Sequence, residues 1–173
     1  MNVLPTHKIR KPGLCEGFFF NYCNQIIYIS GDVYAVAYAG PGNDGWLKTV
    51  EIDNNGQITD SVIDSLEFDS SNGEFPAMIH VSGNVYAIAY DGPGTDGWLK
   101  TVEIGNNGQI TDSVIDSLEF DTCTGTQPDI IHISGDVYAV AYKGPGNDGW
   151  LKTVEIASDG QITNSVIDSL EFD

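Results

Sequence analysis

Positive charge is scarce in this 173-residue chain: seven lysines and arginines stand against 25 aspartates and glutamates, for a formal net charge of -18. That balance repels phosphate backbones and anionic lipid, so nucleic acid and membrane surfaces are poor partners. Cysteine is scarcer still. Cys15, Cys23 and Cys123 lack C-x-x-C spacing, and the three histidines do not cluster with them as a structural zinc site requires. Cys15 and Cys23 are placed to pair in an oxidising compartment; the alternative is three unpaired small hydrophobes. No apolar run approaches the roughly 20 residues that span a bilayer, so no membrane insertion is expected. Lys8, Arg10 and Lys11 are followed by no apolar h-region, since Phe18, Phe19 and Phe20 form an isolated triplet, and no signal peptide is visible. A cytosolic chain and one whose true start was lost or replaced both fit; the expectation is the second, at a cell surface or outside the cell.

What is present is repetition. Trp46, Trp98 and Trp150 lie 52 residues apart in identical contexts, and internal periods of this length dictate a fold. Each copy carries Gly-Trp-Leu-Lys-Thr-Val-Glu-Ile, then Gly-Gln-Ile-Thr, then Ser-Val-Ile-Asp-Ser-Leu-Glu-Phe-Asp, ending at Asp69, Asp121 and Asp173. About two-thirds of positions agree between the second and third copies, loops included, as recent duplication would leave them. Sameness between copies therefore nominates no functional residue. The chain divides into an atypical segment, 1–25, and repeats at 26–69, 70–121 and 122–173.

Within a copy the periodicity is that of strands. Ile130 to Ser134 is a short β-branched run, and Val137 to Tyr142 puts Val137, Ala139 and Ala141 on one face and Tyr138, Val140 and Tyr142 on the other. Trp150 to Ile156 alternates as a third strand. Ile162 to Phe172 is read as a fourth, longer strand with a bulge at Val166-Ile167, where alternation fails. Gly31-Asp32, Gly83-Asn84 and Gly135-Asp136 suit two-residue hairpins, and Asn55-Gly56, Asn107-Gly108 and Asp159-Gly160 carry the type I′ signal. A Gly-Pro-Gly-x-Asp-Gly loop joins the middle strands. Each copy is thus expected to be an all-β, four-stranded antiparallel meander.

Because the second strand offers Ala on one face and Tyr on the other, both faces are expected to be buried. The pattern resembles a β-propeller blade, without the signature of the WD40 or kelch families. The resemblance covers residues 26–173 and implies a fold and no activity. A threefold β-prism or a β-trefoil, both lectin-associated, are the alternatives. Closed propellers usually need about 4 to 8 blades. If the two end faces of a three-blade array each expose about 300 Å² of apolar surface, about 15 kcal/mol of burial is withheld at about 25 cal/mol per Å², comparable to a whole domain's stability. The expected partner is therefore the chain itself, as a homo-oligomer completing a ring, a dimer of six blades, or else further repeats of a longer chain. Where the other linkers carry Pro76 and Pro128 the first copy has Asn24, so the opening segment is either a specialised cap or foreign sequence.

The chemistry is sparse. Asp44, Asp96 and Asp148 in the glycine loops invite a calcium reading, but each loop supplies one carboxylate and calcium takes about 6 to 8 oxygens, so turn capping is preferred and no cofactor is expected. A hydrolase needs two carboxylates of separated acidity; Glu51, Asp64 and Glu67 recur unchanged in every copy, and no G-x-S-x-G, H-E-x-x-H or phosphate loop occurs. A non-enzymatic protein- or glycan-binding scaffold is the expectation, with a lectin, or a fragment of a propeller hydrolase, behind it. Trp46, Trp98 and Trp150, at the mouth of the third strand, are the candidate sugar-stacking residues against a role as wedges between sheets. His80 and His132 are read as packed or solvated first-strand residues, and Ala39, Asp91 and Lys143, which differ between copies, as solvent-facing.

Overall fold

The computed structural model describes residues 23–172. It consists of three separate four-stranded antiparallel sheets in tandem, each with its strands in sequence order. The first holds β1 (Gln25–Ser30), β2 (Val33–Ala39), β3 (Gly45–Glu51) and β4 (Asp64–Asp69). The second holds β5 (Glu74–Ser82), β6 (Val85–Asp91), β7 (Gly97–Glu103) and β8 (Asp116–Asp121). The third holds β9 (Thr126–Ser134), β10 (Val137–Lys143), β11 (Gly149–Glu155) and β12 (Asp168–Glu171). The sheets do not close into a barrel.

The alternation of the second strand sets the stacking. Ala35, Ala37 and Leu47 of the first sheet share a core with Tyr86, Ile88, Tyr90 and Val102 of the second. The opposite face of the second sheet, Ala87, Ala89 and Leu99, shares a core with Tyr138, Val140, Tyr142 and Val154 of the third. Alanine on one side leaves room for tyrosine from the other, so each sheet seats its small face against the large face of its successor. Both faces of β6 are consequently buried along its length. The contact runs through the leading strands, β5 against β1 and β2, and β9 against β5 and β6.

Two features differ from the sequence reading, one turn type and the fourth strand. Gly56, Gly108 and Gly160 have positive φ, but the residues before them do not. Gly56 N–H donates to Asp53 O and Asp53 N–H to Gln57 O, so each turn is a type I turn followed by a left-handed glycine, not type I′. In the first copy Asp53 Oδ1 also accepts the amides of Asn55 and Gln57. The fourth strand is also shorter than expected. Ile162 makes only an isolated bridge to Ile156, and a bend over 163–167 separates it from β12. The apolar character read there as one bulged strand comes from packing between sheets, which does not require continuous pairing within one.

A third correction concerns Asp91, expected to face solvent. It is 3% exposed, whereas its counterpart Lys143 is exposed and Ala39 half-buried. In β6 even the last position before the loop lies inside the stack.

Candidate functional site

The glycine loops are built alike. Pro41-Gly42 forms a tight turn with Gly42 at φ 82°, closed by Asn43 N–H donating to Gly40 O, and Asn43 itself is left-handed at φ 72°. In the second copy that left-handed position is Thr95, φ 69°. The linker to the next sheet docks on this loop: Gly73 N–H donates to Asn43 O and Gly125 N–H to Thr95 O. Asp44, Asp96 and Asp148 fold back toward the turn glycines, Asp44 Oδ2 lying 3.6 Å from where a Cβ on Gly42 would sit. Among the described residues no group of three or more His, Cys, Asp or Glu converges on a metal position.

Trp46, Trp98 and Trp150 are half-buried, each with its indole Nε1 buried and without a hydrogen-bond partner among the described residues. A glycine lies against each ring; a Cβ on Gly92 would stand 2.2 Å from Trp98 Cδ1. Trp98 packs on the core between the first and second sheets and Trp150 on the core between the second and third. Among the described residues no such core lies beside Trp46, and the Lys48 ammonium lies over its ring at 5.5 Å from the centroid.

The most developed polar arrangement lies where one sheet ends and the next begins. Asp69 closes β4, and its Oδ2 accepts from Tyr90 Oη at 2.7 Å and Lys100 Nζ at 2.8 Å, both of the second sheet. Lys100 also donates to Phe68 O at 2.7 Å. The other oxygen, Oδ1, accepts the amides of Ser71 and Asn72 and shapes the linker. The next joint repeats the set: Asp121 accepts from Tyr142, Lys152 and the amides of Cys123 and Thr124, and Lys152 donates to Phe120 O. Burial raises both carboxyls, but the lysine and the other donors outweigh it; Asp69 sits below the ordinary carboxylate range and Asp121 falls to about 2. Burial and the adjacent carboxylate push the Tyr90 and Tyr142 phenols well up, so both stay protonated donors.

Two further contacts complete each joint. Thr49 Oγ1 donates to Gly108 O and Thr101 Oγ1 to Gly160 O, both at 2.6 Å, so the type I turn of each sheet is held by its predecessor's third strand. Ile110 N–H donates to Asp64 Oδ2 and Ile162 N–H to Asp116 Oδ2, at 2.9 and 2.8 Å. On the third sheet the equivalent seat is an open hollow of about 210 Å³ lined by Leu151, Thr153, Asp168, Ser169 and Leu170.

These clamps were not among the sequence candidates. Their signal was the single lysine that every copy keeps in its third strand, Lys48, Lys100 and Lys152, together with the aspartate that ends each copy. Asp173 lies outside the described residues, as do Cys15 and the opening segment through residue 22; Cys23 and Cys123 are exposed free thiols.

The two first-strand histidines make local contacts. His80 and His132 are exposed, each with Nε2 2.9 Å from a hairpin carbonyl, of Gly83 and Gly135, and each tilted against a tyrosine. Asp91 is different: its Oδ1 is buried without a partner among the described residues, and burial, with Glu74 and Asp96 nearby, raises its carboxyl to about 7. No helix of the described residues is long and apolar enough to cross a membrane. Compared with known proteins, the chain matches no family model and no curated sequence.

Proposed function

We propose that the chain is a non-enzymatic scaffold of the β-propeller type, its sheets acting as blades, which works by binding protein and takes a second copy of itself as first partner, the two chains forming a six-bladed ring. One observation carries this reading: the middle sheet buries both faces, in two joints made of the same contacts. A β-prism turns one face of each sheet to a shared axis and a trefoil closes a barrel, so neither lectin fold needs a sheet sandwiched on both sides. The strongly displaced carboxyls are spent on structure, Asp69 and Asp121 as clamps, while Asp91 is too buried to meet a substrate. That supports binding over a hydrolase. The mass of the full chain in solution tests the proposal. A dimer, twice 18.7 kDa, is expected; a compact monomer at every concentration would favour a self-contained lectin.

A further inference from the structure

Among the described residues, the two joints inside the chain leave one unmatched half at each end. The first sheet turns outward the face that the second and third sheets bury: Ile58 is 64% exposed, while Ile110 and Ile162 at the same position are 6% and 5% exposed. The third sheet turns outward the opposite face: Phe172 is 59% exposed where Phe68 and Phe120 are each 3%. These are complementary halves of one known contact, and both are polar as well as apolar. The hollow beside Thr153, Asp168 and Leu170 is the seat that, in the first two sheets, holds the following sheet's type I turn.

We infer that this hollow receives the Asn55-Gly56 turn of a second copy, in the register of the internal joints. The inference rests on the self-partnering proposed above and specifies its geometry. Thr153 Oγ1 donates to Gly56 O of the other chain, and Ile58 N–H donates to Asp168. Lys48, which has no carboxylate partner among the described residues, occupies the position that Lys100 and Lys152 hold in the internal joints. The contact is heterologous, head to tail, and two such joints close a two-chain ring. Because both faces are built from contacts the chain already makes with itself, no new chemistry is required.

Two variants of the full chain test the register. Ile58→Asp blocks the head and Leu170→Asp the tail; both side chains are exposed in the single chain, so an unchanged melting temperature at high dilution verifies that each still folds. In sedimentation velocity the parent is expected as a dimer and each variant alone as a monomer, its dissociation constant raised at least a hundredfold. An equimolar mixture is expected to give a one-to-one dimer through the one intact joint. A parent that stays monomeric would overturn the self-partnering itself, including the case in which residues 1–22 or a different protein cover the face. A dimeric parent whose variants also dimerise, or whose two variants fail to pair when mixed, would leave self-partnering standing and overturn this register alone.

Discussion

Lys100 and Lys48 occupy the same position in successive copies, and their surroundings have almost nothing in common. Lys100 is clamped between Asp69, the Phe68 carbonyl and the face of Tyr90; Lys48 lies over Trp46. The local sequence around both is Gly-Trp-Leu-Lys-Thr-Val-Glu, so the difference is produced entirely by what stands on the other side. Identical strands therefore have two kinds of neighbourhood, a closed joint and an open face, and the contrast is a measure of how much of each copy's stability is borrowed from its neighbour.

The largest expected effect sets Phe120 against Phe172. Phe120→Ala empties a core seat against Gly97, where a Cβ would stand 2.3 Å from the ring, and is expected to cost about 3 to 5 kcal/mol. Phe172→Ala, on the open face, is expected to cost less than about 1 kcal/mol in denaturant titrations of the dilute chain. Equal losses would mean that the end face is covered after all.

The clamp comes next. Lys100→Met leaves Asp69 largely buried with only neutral donors and is expected to cost about 2 to 3 kcal/mol at pH 7, while Lys48→Met costs less than about 0.5 kcal/mol in the dilute chain. The folded acidity of Asp121 lies below its unfolded value, so the matching clamp at Lys152 stabilises above about pH 4 and weakens as pH falls toward 2. Stability curves of Lys152→Met and its parent should therefore converge in acid.

Asp91 inverts that dependence. Its folded carboxyl is raised to about 7 from an ordinary 3.8, so its burial is tolerated in acid, grows costly as pH rises from about 4 to 7, and levels off above that. Asp91→Ala, which restores the residue of the first copy, is expected to stabilise by about 1 to 3 kcal/mol at pH 8 and to make little difference at pH 4. A gain independent of pH would indicate a packing effect instead.

The smallest effect separates the loops. Thr95 holds the left-handed conformation that asparagine holds in the other two copies, a poor fit for a β-branched residue. Thr95→Asn is expected to raise stability by about 0.5 to 1 kcal/mol, readable as a small rise in melting temperature.

The meander was legible because its signals are local. Alternation in Val137 to Tyr142 and the glycine at each first hairpin depend on residues a few positions apart, and the structure places β10 and its turn where those signals fall. The clamps were not legible for the opposite reason: Asp121 and Lys152 are 31 residues apart, and their meeting depends on which face of one sheet meets which face of the next. The same cause misled the reading of the fourth strand. Ile162 packs and hydrogen-bonds toward the preceding sheet through Asp116, so its apolar neighbours answer to the joint and not to a strand partner. Asp91 was misread because variation between copies was taken as exposure, whereas duplicated copies can differ at a buried position when one of them tolerates a protonated carboxyl.

The amides of Ile58, Ile110 and Ile162 report on the three joints with a single chemistry. Within the chain Ile110 and Ile162 donate to Asp64 and Asp116, and Ile58 has no such acceptor among the described residues. Hydrogen exchange on the full chain at two concentrations, one dilute and one where the mass is doubled, tests the account most directly. Ile110 and Ile162 should be slow at both, and Ile58 should pass from fast to slow as the second copy closes over it. An Ile58 amide that exchanges equally fast at both concentrations would contradict the equivalence of the three joints.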